Sequence, residues 1–263
     1  MSGVIASQAG MIFLFGRNTT RSRRDPLMRL AMLVCAMVLC VSCTWADVSG
    51  PLTIKATGGG KVATWTYNWM PGQTSYTLSG PVDLRAGDGT LLATITGLSC
   101  GMQGDPDLFL NFAVHAVVDS NFTFDTGEFF FPTIDIPAAF ATAATTLTAD
   151  GNGATFTGNF GGSGYKATYN GGTVFATLDS TFVSPPNTST VETDRFPAVG
   201  TTIIGVPVSS MRAQWDFNLT ANDDASGTSR YDIEPVPDAS TLVLAFAGAA
   251  PLAGCLIRRR RVA

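Results

Sequence analysis

Few residues in this chain are equipped for chemistry. His115 is the only histidine among 263 residues. A Ser-His-Asp hydrolase would have to use it, yet no Gly-x-Ser-x-Gly elbow accompanies it; the run 161–164 holds Ser163 without that spacing. His115 therefore reads as a sheet-face histidine. Two carboxylates stand out as a potential glycoside-cleaving pair: Glu128 beside Phe129, Phe130 and Phe131, and Asp216 between Trp215 and Phe217. Against that reading, Asp is common at turns because its side chain bonds nearby backbone.

Hard cations need oxygen ligands on tight loops, and two stretches supply them. Asp150-Gly151-Asn152-Gly153 and Asp105-Pro106-Asp107 are weak calcium candidates, since neither completes an EF-hand with its later ligands and closing Glu. No other cofactor is indicated. The stripe Trp65, Tyr67 and Trp69 would stack on sugar rings if its face were open, and would be core if it were not. Burial alone separates the two readings.

Strands must position these groups. Residues 47–235 are rich in Thr, Val, Phe, Gly and Asn, with apolar residues recurring at period 2. In 63–70, Trp65, Tyr67 and Trp69 oppose Thr64, Thr66 and Asn68. In 108–118 both faces carry apolar residues, which predicts a central strand covered on both sides. Further strands are predicted over 52–57, 75–84, 90–97, 121–125, 129–131, 143–149, 154–160, 165–170, 173–182, 201–207 and 211–221. Turn signals separate them, such as Gly58-Gly59-Gly60 and Asn170-Gly171-Gly172. About a dozen short strands at this spacing predict an all-β fold, an antiparallel β-sandwich or jelly roll in a single domain. Three segments read otherwise: 137–144 as one or two turns of Ala-rich helix, 184–199 as an exposed Pro-containing loop, and 221–234 as a short last strand or tether.

Charge and cysteine usage bound the function. Residues 47–235 hold seven basic residues against eighteen acids, a net charge of −11 where the whole chain has −4. Such a body repels nucleic acid and anionic lipid. Cys100 is its only cysteine, so it forms no internal disulfide and no zinc cluster. A buried thiol is the expected state.

The two ends read as logistics. Residues 1–46 comprise a basic extension and a signal peptide: Arg29 as its basic start, 30–41 as its apolar stretch, and cleavage between Ala46 and Asp47. Met28 opens a complete signal by itself. Arg23-Arg24 is followed by Asp25-Pro26 where a twin-arginine signal has an apolar residue, and Cys43 lacks the Leu three residues earlier of a lipidation site. At the other end, 236–263 runs from Val236, Pro237, Asp238, Ala239, Ser240 and Thr241 into an apolar stretch, 242–257, and then Arg258, Arg259, Arg260 and Arg261. Sixteen helical residues reach about 24 Å, close to a hydrocarbon core of about 30 Å. A transmembrane helix is predicted there, with the arginines as its cytoplasmic stop and the body exported.

This tail resembles the PEP-CTERM sorting-signal family, whose ends read Val-Pro-Glu-Pro-Ser/Thr, an apolar helix and an Arg-rich finish. Val236, Pro237, Ser240 and Thr241 match; Asp238 replaces Glu and Ala239 replaces the second Pro. The resemblance spans about a tenth of the chain. It implies an envelope protein, anchored in the membrane before processing, whose partner is an exosortase-type processing enzyme. For the body, the expectation is a non-enzymatic structural or matrix role. The alternative is a surface module that binds calcium or extracellular polysaccharide.

Overall fold

Alternation of side chains at period 2 builds the molecule. A computed structural model describes residues 47–103 and 106–236. The predicted signal and its Ala46 boundary, Asp105, residues 237–241, the 242–257 segment and the four arginines lie outside the described residues. The chain divides into units Met1–Cys43 and Thr44–Ala263, and the described residues belong to the second. Strands follow one another without a helix among the described residues.

The first six strands are β1 (Asp47–Ser49), β2 (Leu52–Gly58), β3 (Lys61–Tyr67), β4 (Ser75–Thr77), β5 (Val82–Arg85) and β6 (Leu91–Gln103). The next six are β7 (Asp107–Ala116), β8 (Ser120–Asp125), β9 (Glu128–Ile134), β10 (Pro137–Thr148), β11 (Ala154–Gly158) and β12 (Ser163–Tyr169). The last six are β13 (Thr173–Ser180), β14 (Phe182–Ser184), β15 (Ser189–Phe196), β16 (Thr202–Ile203), β17 (Val208–Leu219) and β18 (Asp224–Pro235). They form two antiparallel sheets. A ten-stranded sheet runs β1-β9-β17-β8-β2-β3, with β11 and β12 also on β17, and β14 and β13 beyond them. An eight-stranded sheet runs β15-β10-β18-β7-β6-β4, with β16 on β10 and β5 on β6.

The inner faces share one apolar core. Leu108, Leu110, Phe112 and Val114 of β7 are buried, as are Phe122 and Phe124 of β8 and Trp215 and Phe217 of β17. Phe112 links the sheets: its ring lies 4.4 Å from Phe124, 5.2 Å from Trp215 and 5.4 Å from Phe217. Offset and edge-on aromatic contacts of this kind add to the area they bury. Room for Phe112 comes from Gly227 on neighbouring β18, where a Cβ would come within 2.2 Å of the Phe112 ring. The Trp215 indole is anchored across the gap, donating to Ser229 Oγ at 3.3 Å, and Ser229 donates to the Leu110 carbonyl at 2.9 Å. Cys100 is fully buried in β6, and burial pushes its thiol up.

Three segments differ from their sequence reading or extend it. Residues 137–144 are strand, because β10 buries Ala139, Ala141 and Ala143 while pairing with β15 and β18 on its two sides. Two ladders and a buried face outweigh the helix propensity of alanine. Within 184–199, β15 pairs with β10 over eight residues, leaving the prolines at its ends. Residues 221–234, read as a short last strand or a tether, hold the strand β18, which is twelve residues long and bonded to both β10 and β7. The predicted strand 75–84 is also interrupted, at the Ser79-Gly80-Pro81 corner between β4 and β5.

One carboxylate is trapped in this interior. Asp179 of β13 is fully buried, accepts from Thr145 Oγ1 of β10 at 2.5 Å, and its Oδ1 has no hydrogen-bond partner. Burial pushes its pKa up from 3.8 to about 7, reinforced by the negative Glu192 and Asp194 of β15 and only partly offset by Thr145. The folded protein therefore holds a proton on Asp179 that the unfolded chain has already released above pH 3.8. Stability falls as pH rises from about 4 to about 7, then levels.

Asp179→Asn should raise the melting temperature at pH 8 by several degrees and change it little at pH 4, corresponding to at most about 4 kcal/mol; parallel melting curves at the two pH values check it. Gly227→Ala should destabilise the fold by about 1–3 kcal/mol through overpacking against Phe112, read from urea unfolding midpoints.

Candidate functional site

Filling the inner face of the eight-stranded sheet forces the alternate residues outward. β7 and β18 present Phe109, Asn111, Thr228 and Arg230 on the outer side. Register aligns them with residues far away in the chain. Thr142 of β10 stands opposite Arg195 of β15 on one side and Arg230 of β18 on the other, and Arg230 stands opposite Phe109 of β7. The next row places Thr193, Ala144, Thr228 and Asn111 side by side. These rows floor an open groove of about 1090 Å³, with Ala198 from the β15–β16 connection at its rim.

The two arginines that line the groove, Arg195 and Arg230, both stack on Phe140 of β10. Its ring lies 4.3 Å from the Arg195 guanidinium carbon and 5.3 Å from that of Arg230, a cation–π pair on one ring. Arg230 Nε donates to Asp107 Oδ1 at 2.9 Å, and its Nη2 donates to Asp232 Oδ2 at 2.8 Å. Asp107 beside it holds the guanidinium above its ordinary pKa, while burial raises that of Asp232. Arg195 Nη2 donates to the Gly200 carbonyl at 2.6 Å, which ties the rim loop to the floor. Asn111 Nδ2 donates to Ser99 Oγ at 3.0 Å. Planar donors and acceptors are thus held beside aromatic rings in an open, hydroxyl-rich groove. Such a lining offers paired donors and acceptors to a polar molecule.

The residues singled out from sequence lie mostly elsewhere. Trp65, Tyr67 and Trp69 are half-buried where edge strands β3 and β4 meet: Tyr67 lies 4.0 Å from Tyr76 ring to ring, Trp65 5.7 Å from Tyr76, and Trp69 5.3 Å from Phe129. Their rings are packed on one another and on the core rather than presented as an open platform. Glu128 accepts from Ser210 Oγ and from Gly171 N at 2.7 Å, whereas Asp216 accepts from Asn121 and Asn159, each at 2.8 Å. Phe129 pairs with Met211, so Asp216 lies about four residues along β17 from Glu128, roughly 13 Å. That exceeds the about 5–9.5 Å between glycosidase carboxylates.

His115 sits on the outer face with Nδ1 3.0 Å from Asp224 Oδ1. The calcium candidates are separated rather than gathered. Asp107 is taken up by Arg230, and Asp150 Oδ1 accepts from its own loop at Asn152 N, 2.9 Å away. They flank opposite ends of β18, roughly 26 Å apart by strand rise. Among the described residues no group of three or more His, Cys, Asp or Glu is arranged to hold a metal ion.

The groove itself went unread from sequence. Arg195 and Arg230 fall in the segments read as a loop and as a short last strand or tether, and the Phe140 they stack on falls in the one read as helix. A signal was present in 224–235, where Ala225, Gly227, Ser229, Tyr231 and Ile233 alternate with Asp224, Ser226, Thr228, Arg230, Asp232 and Glu234. Small and hydroxylic residues at inward positions hid its period.

No protein-family model matches the chain, and no curated protein matches it. Solved structures with partial similarity include one described as infectious bursal disease virus Gx strain, at 11% identity and TM-score 0.25, covering 73% of this chain and 57% of that one. The Gt strain structure gives 9% identity and TM-score 0.20, with 73% and 62% covered. An Arthrobacter globiformis T6 isomalto-dextranase complexed with panose gives 14% and 0.19, covering 63% of this chain and 25% of the enzyme. The chain thus spans less than two thirds of the length of each. Likenesses this slight carry no function over to it.

Proposed function

We propose that this chain is an exported, non-enzymatic envelope protein of structural or matrix type, whose body contacts extracellular polysaccharide. Its two sheets are read as a jelly-roll-like sandwich forming one domain. The observation that carries the binding reading is one open groove lined by Asp107, Phe109, Asn111, Arg195 and Arg230, whose two arginines both stack on the Phe140 ring. Sugars offer vicinal hydroxyls to bidentate partners and C–H faces to aromatic rings, and this lining supplies both kinds of group.

Sequence supports the address. The signal-like segment before Asp47, the 242–257 span and the Arg258–Arg261 stop would export the body and hold it at the membrane. An exosortase-type enzyme would then act at the motif from Val236 to Thr241. A body of net charge −11 disfavours nucleic acid as partner.

Binding of the purified chain to a panel of neutral and acidic polysaccharides tests the first part. Arg230→Gln and Arg195→Gln should each weaken binding about tenfold, roughly 1.4 kcal/mol, while Val183→Ala leaves it unchanged. A wild-type chain that binds none of the panel would overturn the polysaccharide reading. For the address, Pro237→Ala and, separately, Arg258–Arg261 changed to Ala should each alter the mass or location of the mature protein in its native cells; wild-type behaviour by both variants would leave no sorting signal.

A further inference from the structure

The described body ends at Val236, whose amide donates to the Ile136 carbonyl at 2.9 Å. Around that exit point the surface is aliphatic. Ile136 is 50% exposed, Ile203 64%, Val206 48% and Val199 87%. Backbone contacts keep the first three together: Ile203 pairs with Ala138, Ile204 N donates to the Pro137 carbonyl at 2.9 Å, and Val206 N donates to the Ile204 carbonyl at 2.8 Å. Val199 stands on the β15–β16 connection beside them. Exposed aliphatic residues elsewhere, such as Val62, Val174 and Val183, lie on separate elements.

Chain length says what lies opposite this rim. Residue 242, the first of the apolar run, is six residues beyond Val236. At about 3.6 Å per residue it lies at most roughly 22 Å away. A span beginning there holds the face around Val236 within roughly 22 Å of the hydrocarbon, so that face is the one nearest the lipid.

We propose that Ile136, Val199, Ile203 and Val206 form a membrane-seating rim that enters the headgroup layer around the C-terminal span. This rests on the anchor reading given above. The charges at this end refine the lipid. Asp135 and Glu234 flank the exit, with Asp107 and Asp232 behind them, against Arg195 and Arg230. The acidic excess favours zwitterionic over anionic headgroups. Seating also orients the groove: its Arg195–Arg230 row lies nearest the membrane, and its Thr193–Asn111 row lies farther out.

The test uses the full chain in phosphatidylcholine vesicles containing headgroup-spin-labelled lipid. Cys35, Cys40, Cys43 and Cys255 are changed to Ser; Cys100, being buried, takes no label. A fluorophore is placed at Ile203→Cys or, as control, at Val183→Cys. Quenching at 203 and not at 183, weakened when part of the lipid is phosphatidylglycerol, is the expected result. A chain that stays with the vesicles under alkaline wash but shows equal quenching at both sites overturns the rim while leaving the anchor. Shielding of 203 that grows with protein concentration, without lipid quenching, assigns the rim to a second copy and overturns it too. A chain that washes off overturns the anchor reading and this proposal with it. Hydrogen exchange on the unsubstituted chain gives an independent readout: amides 199–206 should exchange several-fold more slowly in vesicles than in detergent, and equal rates in both count against the rim.

Discussion

The contact between Phe112 and the aromatic rings of the facing sheet is the constraint from which the rest of the body follows. Phe112 reaches Phe124, Trp215 and Phe217 because Gly227 on the adjacent strand leaves its place empty. A side chain at 227 would push that ring away from the opposite sheet or spread the β7–β18 ladder. Ser229, two residues on, uses its hydroxyl to tie Trp215 of one sheet to the Leu110 carbonyl of the other. The separation of the layers is thus set by one large residue, one absent side chain and one small polar bridge.

The groove is a geometric consequence of that packing. Once β7, β18 and β10 commit one set of alternate residues to the core, the other set must face outward at a lateral spacing of about 4.8 Å. Arg195, Thr142, Arg230 and Phe109 become neighbours in one row although they come from four strands. Arg230 and Asp107 are 123 residues apart in the chain, yet form an ion pair. Because the arginines are held by Asp107, Asp232 and the Gly200 carbonyl, their planes are fixed before any ligand arrives, which lowers the ordering cost of binding.

Acidity shapes the interior as well as the surface. The excess of carboxylates leaves Asp179 facing Glu192 and Asp194, and burial adds to their effect, so the folded body retains a proton there near neutrality. The other conspicuous carboxylates are satisfied differently: Asp125 by Arg212, Asp216 by two asparagine side chains, and Glu128 by Ser210 and the Gly171 amide. Each therefore has a hydrogen-bond partner that fixes its position.

By itself the sequence determined the class of fold, the central place of β7, the isolation and burial of Cys100, and the charge of the body; the cover expected on both faces of β7 is found on one only, since Phe109 and Asn111 line an open groove and His115 is part-exposed. All of these rest on local alternation or on counting. It also carries the expected address at both ends, in residues outside those described. Tertiary structure alone decided that the alanines of 137–144 extend rather than coil, that β15 pairs, and that β18 lies between β7 and β10. In each case the deciding energy comes from ladder bonds and burial against partners distant in the chain, which no local propensity contains. The groove was hidden for the same reason: its rows are set by register between strands, and register belongs to the assembled sheet.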